Sequence, residues 1–336
     1  MYPIEEILRK GVVLADEVEV YLTEGIALSG ELKRAQVSRV AESRYFSLSV
    51  RTIKDGRIGN SQSSNPRDWE KCLDASVASG TLATEQPWNG LPHPAKLDSR
   101  PIAFDPSLTP DSDIILGLLK GMIEGASSHP VEVTSGGASL SVQTTTLANS
   151  NGLFYSRPRS HVSASIETIR ENSTGYEFGN SYTMDLDPVS IGDRAGFLAS
   201  ASYGGIDISS GPYDVVLSPV AFAQLIGAVL LPALSGRNVH AGRSKLATSL
   251  GDQVIDPALS LSDDPFLEKG LGSTRWDAEG VPTRHLSFIR KGVLEHFSYD
   301  LKMASRYGKE STGSAVRTGH GGGPAIGNHN VIIDGP

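Results

Sequence analysis

The sequence predicts an α+β protein of two domains. Residues 1–210 read as an N-terminal α/β domain with antiparallel strands and helices, and residues 211–336 as a β-rich C-terminal domain with one buried helix. Three observations predict this. The chain has 336 residues, and about 150 per domain is the usual scale. Strand-like and helix-like segments alternate as far as Tyr203. Beyond Gly211 a long apolar run gives way to a Gly/Ser/Asp-rich texture.

Pro3 to Ala15 suits a helix, with Ile4, Ile7, Leu8 and Val12 on one face. Glu17 to Thr23 alternates as a strand, and so does Tyr45 to Ile53. Asp55-Gly56 is a hairpin turn that returns the chain along Arg57 to Ser63. Arg67 to Thr84 is helical, its apolar stripe running through Trp69, Cys72, Leu73, Val77 and Leu82. Five prolines make Gln86 to Thr109 an extended, linker-like segment. Asp111 to Ala126 is a second amphipathic helix. Val131 to Met184 reads as an antiparallel meander with a turn at Asn151-Gly152, and Asp187 to Tyr203 as a closing helix.

In the second half, Tyr213 to Leu217 is expected to be a strand leading into the buried helix, which Ser218 caps and Pro219 opens. Thr283 to Ile289 and Val293 to Phe297 form a hairpin across Lys291-Gly292, and Tyr299 to Tyr307 a short helix. Ser311 to Asn330 reads as loop. Val331 to Ile333 begins a strand for which the sequence offers no partner, which points to further chain or another subunit.

Composition excludes several classes. An apolar content of 39 % excludes wholesale disorder. Thirty basic against 38 acidic residues leave −8, so no global positive field exists to hold nucleic acid. The single cysteine, Cys72, excludes an internal disulfide and a four-cysteine zinc site, and its place on an apolar stripe reads as a buried thiol. Glu5, Glu6, Arg9 and Lys10 break up any signal-peptide block. Val215 to Leu234 has spanning length and no charge, but Ser218, Pro219, Gln224 and Pro232 interrupt it. A cytoplasmic protein without membrane contact is therefore the expectation.

Motifs of known chemistry are weak. Gly319, Gly321, Gly322 and Gly323 lack the following helix that a dinucleotide fingerprint needs. Gly236 with Gly242-Arg243-Ser244 misses the P-loop spacing and its lysine. None of the eight histidines lies four residues from another, and His320 and His329 beside the glycine loop read as surface groups. Asp263, Asp264, Asp277 and Glu279 read first as turn-capping carboxylates, with a cation site as the alternative. No G-x-S-x-G elbow or S-x-x-K occurs.

An ordered series of elements says more. Ser235-Gly236, Gly242-x-Ser244, Leu250-Gly251-Asp252, Asp263-Asp264-Pro265 and Gly272-Ser273 come first. Asp277-x-Glu279-Gly280-Val281-Pro282-Thr283, Lys291-Gly292-Val293-Leu294 and Ser311-Thr312-Gly313-x-Ala315-x-Arg317 follow. This order resembles the TldD/PmbA family, once called modulators of DNA gyrase and linked to microcin processing. One kind of subunit in that family carries H-E-x-x-x-H, two metal ligands and a general base. Counting back from Gly242, Gly227 stands for the first histidine, Ala228 for the glutamate and Pro232 for the second histidine. None of the three can ligate a metal or move a proton.

The resemblance thus implies the PmbA (TldE) kind of subunit, with no cofactor and no metal of its own. A TldD-like metalloprotease partner would bring zinc or a similar metal, in a heterodimer; self-association as a homodimer is the other arrangement. This chain would shape the channel for a peptide substrate, without contacting nucleic acid directly. The resemblance also implies a further β segment, bearing a cysteine ligand, beyond Pro336. The peptide-binding candidates are Ser235, Gly236, Arg237 and His240 beside the lost motif, then Asp277, Glu279 and Arg317 in the shared segments. Two other readings stand beside it. One is a non-catalytic dimeric scaffold. The other is a self-sufficient hydrolase with a metal at His240, His285, His320 or the Asp263/Asp264/Asp277/Glu279 group.

Overall fold

The computed structural model describes residues 3–100, 102–317 and 323–336. Helix α1 (Ile4–Leu14) leads into β1 (Glu17–Lys33), β2 (Gln36–Lys54) and β3 (Arg57–Ser63), followed by α2 (Trp69–Thr81). Helix α3 (Ser112–Ala126), strands β4 (Glu132–Asn149), β5 (Phe154–Arg170) and β6 (Ser173–Ser181), and helix α4 (Pro188–Ala201) complete the first part. The six strands form one antiparallel sheet in the order β3-β2-β1-β4-β5-β6. The protein is α+β.

Alternation decides which face the helices cover. On β1, Val18 and Val20 pack with Ile7, Cys72 and Leu73 of α1 and α2. Leu28 and Leu32, in the same phase, pack with Ile115, Leu119 and Ile191 of α3 and α4. Asp55 and Gly56 both take positive φ, +48° and +69°, as a two-residue hairpin turn requires. Asp187 caps α4 through the N–H groups of Val189 and Ser190, and Asp111 caps α3 through that of Asp113. Helices α3 and α4 cross with backbone in contact: a Cβ at Gly125 would lie 2.0 Å from the Val189 carbonyl oxygen, and one at Gly192 2.0 Å from that of Met122.

Several first-half expectations need correction. Strand β1 does not stop at Thr23 but continues through Gly25 and Gly30 to Lys33, because β2 and β4 pair with it on both sides. Helix α2 starts at Trp69, after a 3₁₀ turn over Pro66–Asp68 capped by Asn65. The proline-rich segment after α2 is irregular, yet it is no free linker. Leu91, Ala103 and Leu108 are buried, and Glu17 accepts from Trp88 Nε1 at 2.5 Å and from the Leu91 N–H at 2.9 Å.

The second part holds α5 (Pro219–Ala233), α6 (Gly236–His240), β7 (Ser260–Asp263), β8 (Leu286–Arg290) and β9 (Val293–Leu294). Helix α7 (Leu301–Tyr307) and strands β10 (Ala315–Val316), β11 (Ala325–Ile326) and β12 (Val331–Asp334) follow. Its core gathers Leu261, Phe288, Ile289, Leu294 and Tyr299. Ser218 caps α5 by accepting from the Ala221 N–H, as expected. Four other expectations differ. Tyr213–Leu217 forms no strand; it is irregular and exposed, since high β-propensity alone supplies no edge to pair with. Helix α5 is not buried: Ile226, Leu230 and Leu231 reach the core, but Leu225 is 50 % and Val229 65 % exposed. Strand β12 has a partner, β7, hidden in a stretch that reads as loop. His329 is no surface group, because its Nδ1 lies 3.0 Å from Asp263 and its side chain is 6 % exposed. Gly319, His320, Gly321 and Gly322 lie outside the described residues.

An ionic lock joins the two parts. Glu19 and Arg51 are opposed across β1 and β2, on the face away from the helices. Arg51 Nη2 lies 2.6 Å from Glu19, and its Nη1 lies 2.5 Å from Glu279 of the second part. Arg317 closes the chain, 2.5 Å from the other oxygen of Glu19. Glu279 also accepts from the Leu301 N–H at 2.7 Å. All four side chains are at most 2 % exposed. Burial alone would lower the Arg51 guanidinium, but Glu19 and Glu279 outweigh it and hold it above its ordinary value. Burial, then the Glu279 charge, pushes the neighbouring Asp277 carboxyl up to about 7 and that of Asp300 up to about 6.

Two expectations follow. Arg51→Met leaves the buried Glu279 without a counter-charge and Glu19 with Arg317 alone, and should cost about 3–5 kcal/mol of stability in urea unfolding at pH 8. A loss below about 1 kcal/mol would contradict the lock. Asp277 and Asp300 hold protons in the folded chain that the unfolded chain releases from the ordinary 3.8 upward. Their contribution to stability therefore falls as pH rises from about 4 to 7. Asp300→Asn, which keeps an acceptor for α7, should flatten the fall of Tm between about pH 4 and 6.

Candidate functional site

Two clefts flank the short β10–β11 ladder, and Asn328 lines both. The first, about 500 Å³, lies between the sheet and the loops of the second part. Its floor is the polar face of β1, β4 and β5, where Tyr21, Thr145, Arg157 and Arg159 stand. Its walls are Leu271–Thr274 and Ala315–Arg317. Such a face is polar because it meets loops rather than helices, so the strands alternate apolar-in and polar-out even where both sides are covered.

The second cleft, about 510 Å³, opens where α5 ends. Pro232 has no N–H to continue the helical ladder, and α5 stops one residue later at Ala233. The chain then turns sharply. Ser235 bridges to Ser298, Asn238 Nδ2 donates to the Pro232 carbonyl at 2.8 Å, and Ser244 Oγ donates to that of Ala233 at 2.7 Å. A side chain at Gly236 would meet the Tyr299 ring, which makes glycine obligatory at this approach. Gly227, Pro232, Ser235, Arg237 and Arg243 line the cavity.

The candidates thus divide. Gly227, Pro232, Ser235 and Arg237 come together around one cavity, and Ala228 is the exposed neighbour of Gly227 on α5. His240 stands apart. Its ring stacks on Tyr307 at 3.7 Å between centroids, and its Nε2 lies 3.3 Å from the Tyr299 hydroxyl. Burial, then the Lys309 charge, lowers its ionisation below the ordinary histidine range. Asp277, Glu279 and Arg317 are held in and beside the lock, with Asp277 and Arg317 also facing the first cleft. Asp277 accepts from the N–H groups of Glu279, Val281 and Ala315, so its backbone-capping role is realised. Asp263 accepts from the His329 and Asn330 N–H groups, and Asp264 from that of Phe266.

Sequence reasoning did not find Glu19, Arg51, Arg157 or Arg159. For Glu19 and Arg51, a charged residue amid apolar strand neighbours was the available signal. Metal chemistry does not fit the second cleft. Gly227, Ala228 and Pro232 offer no donor atom on a side chain, and among the described residues no group of three or more His, Cys, Asp or Glu could hold a metal ion. No helix among the described residues is long and apolar enough to cross a membrane.

Residues 18–80, 105–203 and 210–336 match the first, central and C-terminal domains of the PmbA/TldA metallopeptidases. An uncharacterised protein of Methanocaldococcus jannaschii is 30 % identical over 98 % of this chain and 78 % of its own length. The metalloprotease PmbA of Escherichia coli O157:H7 is 25 % identical over 89 % of this chain and 69 % of its own. TldE of Thermococcus kodakarensis superposes with a TM-score of 0.87 at 25 % identity, over 98 % of this chain and 77 % of that one. A Thermotoga maritima structure described as a putative modulator of DNA gyrase gives a TM-score of 0.84 at 26 % identity. The chain belongs to the TldD/PmbA metallopeptidase family.

Proposed function

We propose that this chain is the metal-free, TldE-type subunit of a peptide-processing metalloprotease in the cytoplasm. Its partner is a TldD-like subunit that carries zinc or a similar metal together with the general base. The observation that carries this reading is the second cleft. Gly227 and Pro232, at positions where catalytic subunits of the family hold metal ligands, line a cavity that has no carboxylate or histidine among its described residues. Such a wall cannot activate water, but it can accept an extended peptide.

Backbone groups suit that role. An extended peptide is held by main-chain hydrogen bonds, which place little demand on its sequence. Arg237 and Arg243 add positive charge beside the path. The exposed α5 residues Leu225 and Val229, next to the lost motif, support a chain that works in an assembly. They agree equally with a dimeric scaffold, so activity must separate the two.

Peptide hydrolysis should appear only when the purified chain is mixed with the TldD-like subunit of the same source, and a chelator should abolish it. Hydrolysis by the chain alone would overturn the proposal in favour of a self-sufficient hydrolase. Silence in the mixture would favour the scaffold. The variant Gly227→His/Ala228→Glu/Pro232→His should remain inactive alone. A Cβ at Gly227 meets nothing within 4 Å, so that position accepts the change and loss of fold there does not explain inactivity.

A further inference from the structure

Among the described residues, the first cleft holds two arginines that no ion pair engages. Thr23, Thr145 and Arg157 are cross-strand neighbours on its floor, and Gly25, Gln143 and Arg159 form the next row. Arg157 and Arg159, two apart on β5, project from the same face. Arg157 donates to the Thr274 hydroxyl and to the Trp276 carbonyl, and its guanidinium lies 3.9 Å from the Trp276 ring centroid. Arg159 stands at the exposed rim and donates to the Leu271 carbonyl. Their partners are neutral. Neither is in an ion pair among the described residues, whereas Arg51 and Arg317 are both matched to glutamates.

Asp277 is the one described carboxylate that lines the cleft. Its two oxygens are already engaged by three backbone N–H groups, and its raised ionisation weakens the charge it offers. Burial, with the charge of Arg159 behind it, lowers the Arg157 guanidinium below its ordinary value. A guanidinium drawn out of water without a counter-charge is costly, and an incoming anion relieves that cost. The planar fork of arginine matches a carboxylate with two parallel hydrogen bonds. Gln143 adds a neutral donor: the Tyr45 hydroxyl donates to its Oε1 at 2.7 Å and so leaves its amide N–H groups for a ligand. A cavity of about 500 Å³ is of ligand size.

We propose that this cleft binds a carboxylate group of the protein's ligand, with Arg157 and Arg159 as the binding residues. That the ligand is a peptide rests on the function proposed above; the demand for an anion does not. The carboxylate is then a chain end or an acidic side chain.

Calorimetric titration of the full chain separates these cases. The probes are N-acetyl-trialanine with a free C-terminus, its C-terminal amide, N-acetyl-Ala-Glu-Ala amide, succinate and inorganic phosphate. The carboxylate-bearing probes should bind at least about tenfold tighter than the trialanine amide, as loss of one charged hydrogen bond implies. The tighter of the two acidic peptides identifies the source. Arg159→Gln, at the rim, should weaken that binding about tenfold with unchanged thermal unfolding. Arg157→Lys, which keeps the charge but loses the fork, should weaken it too. Succinate bound through Arg159 with no peptide bound would uphold the anion site and count against the peptide reading. Equal affinity for acid and amide, phosphate bound in preference to every carboxylate, or an Arg159→Gln variant that binds as the parent would overturn the proposal.

Discussion

Arg51 is the residue on which the arrangement of the two parts depends. It rises from β2 near its Lys54 end and meets Glu19 beside it and Glu279 from 228 residues further along the chain. Buried ion pairs add little net stability when compared with apolar packing, but they punish any arrangement that leaves one member alone. The lock therefore acts through specificity. The second part can settle on the sheet in one register, the one that delivers Glu279 and Arg317 together. Both clefts inherit their shape from that choice, since Asp277 and the β10–β11 ladder sit on the same stretches of chain.

Local chemistry made much of the fold legible in the sequence. Asp111, Asp187 and Ser218 cap helices where short-range hydrogen bonding says they should, and Asp55-Gly56 turns the chain where positive φ is needed. What stayed illegible is long-range. The pairing of β12 with β7, and the burial of His329 against Asp263, depend on segments more than sixty residues apart. The apolar run of α5 reads as buried because sequence reports hydrophobicity, not what covers it. The site was legible only in part. The loss of the metal motif at Gly227, Ala228 and Pro232 was visible through the family resemblance. Arg157 and Arg159 were not, because an arginine in a strand reads as a solvated side chain until the opposite wall of loops is known.

The central place of β1 has a consequence for how the chain is made. Its partner on one side, β2, follows at once through a tight turn, but its partner on the other, β4, begins about a hundred residues later. At roughly 5–20 residues per second, a ribosome needs on the order of ten seconds to cover that gap. Throughout that interval β1 presents an open edge of backbone N–H and C=O groups, the kind of edge that recruits stray strands. Glu24 and Glu31 are spaced along that edge, and their charges discourage such encounters until β4 closes the sheet.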